Sequence, residues 1–230
     1  MNGALAASNI NQIKDTIKKD KKLKEKKREK YIKELDILHD RYLKTEIDEN
    51  FNVQYKQMNK KGVELVKELK SLTQEKDTER SVEVYIRYLK ASIGDFEGKT
   101  NNIKRYVTSF IFTSILFLAL TPQFYGFILP ILFFVPIYIG LKGVKNRSIT
   151  GFYMTMSVVP VSIMTGVTWV RYGIGVMNDY EGALNEIISS GISESLAKIL
   201  IVAEPILGGL LVILAITQLY RGIKSRDLFI

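Results

Sequence analysis

The chain has no cysteine and a single histidine, His39, in 230 residues. Disulfides, thiolate chemistry and Cys-ligated zinc or iron–sulfur centres are excluded. One imidazole is too few for a histidine-based metal site, so the sequence implies no metal and no cofactor. It also lacks a Gly-rich phosphate loop ending in Lys-Ser/Thr, an HExxH, a GxSxG and any pair of acids within one apolar run. These absences argue against an enzyme. Met1 to Gln12 has no basic region followed by an apolar core, so no cleavable signal peptide is expected and the first apolar span should direct insertion.

Charge is absent from Tyr106 to Leu141, 36 consecutive residues that are mostly apolar or aromatic. A bilayer's hydrocarbon core takes about 20 apolar residues as a helix, so this run is too long for one span and long enough for two. Thr121-Pro122-Gln123 offers the turn, because proline cannot continue the helix ladder. Two more apolar runs follow. The spacing predicts spans at about 103–120, 124–141, 149–170 and 199–220, arranged as two hairpins. Prolines 130, 136 and 160 fall inside spans, where they are expected to kink the helices without breaking them.

The net charge of +9 is unevenly spread. Residues 1–105 hold 25 of the 33 Lys and Arg and 18 of the 24 acids. A polar N-terminal region therefore precedes an integral membrane region. The expected division is a helical domain over 1–97, a turn-rich linker over 98–105 and a membrane domain over 106–230.

Asn11 to about Lys44 reads as one helix, strongly basic from Lys18 to Lys30. Leu23 is the lone apolar residue of that basic stretch, which is therefore expected to stay out of a core. A solvated helix is the plain reading. Attachment to anionic lipid headgroups is the functional one, at about 1 kcal/mol per basic residue near the surface. Nucleic acid is set aside because the cluster has no aromatics for base stacking. Leu35, Leu38, Tyr42 and Thr45 follow 3-4-3 spacing. After a break near Glu46–Asn50 comes a cleaner seam, Phe51, Tyr55, Met58, Gly62, Leu65, Leu69 and Leu72. A third set is Val82, Ile86, Leu89, Ile93 and Phe96. Such 3.5-residue repeats give coiled-coil character and ask for a partner helix, in the same chain, in a second copy or in another cytoplasmic protein.

Loop charges set the expected orientation. Lys104 and Arg105 precede the first span, Lys142, Lys145 and Arg147 follow the second, and Arg221, Lys224 and Arg226 follow the fourth. The opposite side has an uncharged turn at Thr121 to Tyr125 and a loop, Tyr172 to Leu196, that carries Asp179, Glu181, Glu186 and Glu194 with no basic residue. The excess of Lys and Arg then puts both termini in the cytoplasm. Tyr106, Tyr125, Trp169, Tyr172 and Tyr220 fall at span ends and read as interfacial aromatics.

Leu141–Ile149 and Tyr220–Leu228 match position by position in character, as a duplicated hairpin would. Their basic residues, Lys142, Lys145, Arg147, Arg221, Lys224 and Arg226, would form a cytoplasmic collar for lipid phosphate or an acidic partner. Glu204 is the ionisable residue inside a span, beside Pro205 and Gly208-Gly209. Arg171, at a similar level, is its expected partner. A carboxyl there either orients the fourth span or serves an ion path. Two functions compete: a membrane-anchored scaffold whose coiled coil recruits or assembles partners, and a homo-oligomeric channel or transporter with Glu204 in the path.

Overall fold

A computed structural model describes residues 2–230. Among these residues the secondary structure is helical, apart from one isolated antiparallel bridge between Asn2 and Glu46. The helices are α1 (Ala4–Lys19), α2 (Glu25–Lys44), α3 (Asn52–Ser71), α4 (Glu75–Phe96), α5 (Thr100–Leu120), α6 (Pro122–Tyr125), α7 (Ile128–Lys145), α8 (Ile149–Asn178), α9 (Tyr180–Ser189) and α10 (Glu194–Ser225). They divide into two compact units. One holds α1–α4 together with Asp227–Ile230; the other runs from Lys104 to Arg226.

In the first unit the periodic apolar positions close on one another. Tyr55, Met58, Leu65 and Leu69 of the expected seam are buried, and Phe51 and Leu72 pack at its ends. Their partners are Leu35, Leu38 and Tyr42 of α2 and Val82, Ile86, Leu89 and Ile93 of α4. Polar contacts give the directions. Lys14 meets Asp36 at 2.5 Å and Asn11 meets His39 at 3.1 Å, so α1 and α2 run antiparallel. Asn9 donates to Asn59 at 2.9 Å and Tyr31 to Glu83 at 2.9 Å, which sets α1 beside α3 and α2 beside α4. The unit is a four-helix bundle, and the heptad seam is consumed inside it. Burying each large apolar side chain contributes about 1.5–3 kcal/mol.

The expected single helix over 11–44 is corrected. α1 begins at Ala4 and stops at Lys19, and Asp20 turns the chain by accepting the Lys22 backbone N–H at 2.8 Å. Leu23 is 2% exposed and belongs to the core, contrary to the expectation from its charged surroundings. It is joined there by Ile10, Ile13 and Ile17, a 3-4 spaced stripe of α1. Lysines flank this core without entering it: Lys22 donates to the Leu69 carbonyl at 3.3 Å and to that of Leu72, and Lys27 pairs with Glu79. The break near Glu46–Asn50 is a short 3₁₀ turn whose entry is capped by Asp48, accepting from the Asn50 N–H at 2.8 Å.

The second unit carries helices long and apolar enough to cross a membrane: α5, α7, α8 and α10. Much of their surface is apolar and uncovered, with only 11% of the apolar stretch of α7 and 22% of that of α10 buried. That is the surface of a membrane protein. At 30 and 32 residues, α8 and α10 are about 45 and 48 Å long, beyond a hydrocarbon core of about 30 Å. Helix therefore continues through Asn178, into a stretch expected to be loop. α7, α8 and α10 run unbroken through Pro136, Pro160 and Pro205. The turn at Thr121–Gln123 becomes the single-turn α6, released by Gly126 at φ +60°. α8 is the centre of the unit, packing on α7 along one side and α10 along another. Phe110, Phe117, Leu120, Val158, Trp169 and Leu211 form its interior. α9 closes a smaller cluster with Val176, Leu184, Ala197 and Ile201.

Candidate functional site

Glu204 and Arg171 do not meet. Among the described residues no hydrogen bond or ion pair joins them, Arg171 is exposed, and Glu204 is half-buried on α10. The reason is helical phase. Gly173 of α8 receives Pro205 of α10 so closely that a Cβ on Gly173 would lie 2.5 Å from the Pro205 Cβ. Arg171 precedes Gly173 by two residues, about 200° around the helix, so it points away from α10. It lines instead an open groove of about 720 Å³ with Phe124, Tyr172, Asp179 and Glu186.

The six collar residues split by role. Arg221 is drawn into the unit, donating to the Arg105 carbonyl at 3.1 Å and to Ser109 Oγ at 2.6 Å. Arg226 reaches the Tyr153 hydroxyl at 3.4 Å. Arg147 holds φ +56° at the α7–α8 turn and is half-buried. Lys142, Lys145 and Lys224 are exposed. The two matching segments share their glycines' role, since both make close approaches. A Cβ on Gly143 would lie 3.1 Å from the Gly151 nitrogen, and one on Gly222 would lie 2.8 Å from Met156 Sδ. They differ at the next position, where Val144 is fully buried and Ile223 is 67% exposed.

Sequence reasoning missed the polar interior of the apolar unit. Tyr106 and Trp169 are buried inside the unit. The Tyr106 and Thr155 hydroxyls lie 2.5 Å apart, and the Thr155 hydroxyl donates to the Phe152 carbonyl at 2.7 Å, which makes Tyr106 the donor between the two. Gln218 Nε2 donates to the Thr155 carbonyl at 2.9 Å, and the Trp169 indole N–H to the Leu120 carbonyl at 2.9 Å. Tyr106–Thr155 and Leu120–Trp169 are both 49 positions apart, so α5 and α8 run parallel in a fixed register. That register sets Thr113 level with Ser162, both fully buried. Ser114, Ser162 and Thr165 hydroxyls and the Gln218 Oε1 are buried without a partner. The available signal was Gln218 within an apolar run and hydroxyl residues seven apart, as at Tyr106 and Thr113.

Among the described residues no group of three or more His, Cys, Asp or Glu side chains is placed to hold a metal ion. Known family models, curated proteins and solved structures offer no match to this chain.

Proposed function

We propose that the chain is a multi-pass membrane scaffold. In this reading α5, α7, α8 and α10 cross the bilayer as two hairpins, α5/α7 and α8/α10, with both ends of the chain in the cytoplasm. The α1–α4 bundle, carrying the coiled-coil seam, is the cytoplasmic module, and it recruits or assembles partners. The seam is filled within the chain, so recruitment falls to the module's outer surface, and the exposed charge there carries the reading. What the module offers outward is charge: Lys18, Lys19, Lys21 and Lys26 are exposed along one turn and its flanks. Such a surface suits anionic headgroups or an acidic helical partner. The topology is supported by the parallel α5–α8 register, by an α8–α10 pair that runs antiparallel, and by the Lys and Arg distribution.

A channel or transporter subunit is the second reading. The unpartnered Ser114, Ser162, Thr165 and Gln218 groups favour it, because buried polar groups in a bilayer mark hydrated paths. Two measurements separate the readings. Proximity labelling in native membranes should enrich cytoplasmic proteins around the wild type and lose that enrichment when Lys18, Lys19, Lys21 and Lys26 become Glu. Proteoliposomes of the purified chain should carry no ion flux above protein-free vesicles. A flux that Glu204→Gln alters would overturn the scaffold in favour of the channel.

A further inference from the structure

Arg171 is the single basic residue between Arg147 and Lys198, a stretch that also holds Asp179, Glu181, Glu186 and Glu194. Lys198 pairs with Glu194 at 2.6 Å. Among the described residues Arg171 has no ion pair or hydrogen bond, although it lines one groove with Asp179 and Glu186. Spacing keeps the cation and the first acid apart. Arg171, Gly175 and Asp179 follow at four-residue intervals on one face of α8, and eight residues set Asp179 about 12 Å further along the axis.

Gly175 lies between them. A Cβ there would meet nothing within 4 Å, so this glycine serves no close helix contact, unlike Gly173, which receives Pro205. Glycine inside a helix is unfavourable relative to alanine. What its bare backbone leaves here is open floor between a cation and an acid. Asp179 caps α9 with Oδ1, which accepts the Gly182 N–H at 2.9 Å. Glu186 is exposed on α9, and among the described residues its carboxylate has no hydrogen bond or ion pair. Phe124 and Tyr172 also line the groove, and both rings stand edge-on to the buried Trp169, at 4.5 and 5.6 Å between centroids. Towards the middle of α8 the helix exposes Val167 and Met164, four and seven residues before Arg171.

From its middle to its end, then, this face of α8 presents apolar surface, a cation, a gap and an acid. A phospholipid that ends in an amine has its parts in the same order: acyl chain, phosphate, ammonium. A guanidinium forks onto phosphate oxygens, and a primary ammonium brings three donors to carboxylates.

We propose that the groove beside Arg171 is a headgroup site for a phospholipid with a primary ammonium, of the phosphatidylethanolamine type. The phosphate sits on Arg171, the ammonium lies over Gly175 towards Asp179 and Glu186, and an acyl chain follows Val167 and Met164. The two acids repel anionic headgroups, and a quaternary ammonium has no N–H to give them. The site rests on α8 crossing the bilayer, as read above, and holds for the scaffold and the channel alike.

The test is native mass spectrometry of the full chain in detergent, titrated with phosphatidylethanolamine, phosphatidylcholine and phosphatidylglycerol of one acyl composition. The first lipid bound should be phosphatidylethanolamine, preferred by about fivefold, the upper end for exposed ion pairs. Arg171→Gln should remove that affinity gain, Glu186→Gln should erase the preference over phosphatidylcholine, and Gly175→Leu should abolish selective binding by filling the floor. All three positions are exposed, so the variants should keep wild-type helical circular dichroism. Equal binding of the three lipids, a preference for phosphatidylglycerol, or indifference to Gly175→Leu overturns the proposal. Soluble glycerophosphoethanolamine that competes as well as the lipid would place the ligand in water and overturn the lipid assignment. Release of the chain from native membranes by alkaline carbonate would overturn the bilayer reading itself, whereas retention without lipid selectivity overturns the site alone.

Discussion

Gly166 of α8 and Gly208 of α10 bring two backbones into direct contact: a Cβ on Gly166 would lie 2.6 Å from the Gly208 carbonyl oxygen. Small residues at such crossings let membrane helices approach closely, and that dispersion contact replaces the hydrophobic drive that lipid removes. A Cβ on Gly208 would in turn press on that of Trp169, one turn along α8 from Gly166 and the chain's single tryptophan.

Gly208→Val should therefore force α8 and α10 apart, with a cost of about 1–3 kcal/mol from overpacking. Trp169 is buried in the wild type, so its emission should be blue-shifted there and move to longer wavelength in the variant. An unchanged spectrum and unchanged thermal midpoint would contradict the packing described.

Leu23 sits among lysines yet is in the core. Leu23→Ala should destabilise the α1–α4 bundle by about 2–3 kcal/mol, the cost of removing a buried leucine. Hydrogen exchange of α1 and α2 would report it. If exchange of these helices is unaffected, the α1–α2 turn is solvated as the charge pattern suggests.

Alkaline pH should loosen the same bundle. Burial pushes the Tyr42 and Tyr85 phenols up from their ordinary value, and burial followed by the hydrogen bond to Glu83 does the same for Tyr31. A raised folded value means that the native state holds the proton more tightly than the unfolded chain. The stabilisation is complete below the unfolded value of about 10 and falls as pH rises above it. Tyrosinate absorbance should show these phenols ionising only with loss of helix. Ionisation of all 12 tyrosines near pH 10 in a folded chain would contradict this.

Tyr42 also donates to the Leu89 carbonyl at 2.8 Å, tying α2 to α4. Tyr42→Phe keeps the ring and removes that bond, so a loss of about 1 kcal/mol is expected. Chemical denaturation read by far-ultraviolet circular dichroism measures it.

Arg221 and Lys142 hold equivalent places in the two similar segments, yet only Arg221 bonds another helix. Arg221→Met should cost about 1 kcal/mol after allowance for its part exposure. Lys142→Met should stay within about 0.5 kcal/mol. Equal effects would restore the symmetry that the sequence implies.

Much of the architecture was legible in the residues. The apolar runs and the 3-4 spaced seams need only composition and period, because lipid and core both select for them locally. The α1 stripe Ile10, Ile13 and Ile17 is equally periodic, but it runs into lysines whose long side chains reach carbonyls and acids while the helix buries its other face. The candidate site was far less legible. Glu204 was found by its charge, but pairing it with Arg171 used depth alone, and depth ignores helical phase.

Sequence by itself determined that this chain is helical, that four of its helices suit a bilayer, and that thiol chemistry is foreign to it. Tertiary structure alone decided that the heptad seam closes within one bundle, that Tyr106 and Trp169 turn inward, and that Asp227–Ile230 rests on Gly94. Period and composition act along the chain and can be read from neighbours. Which faces meet depends on angles and distances between residues on different helices, and no local pattern records those.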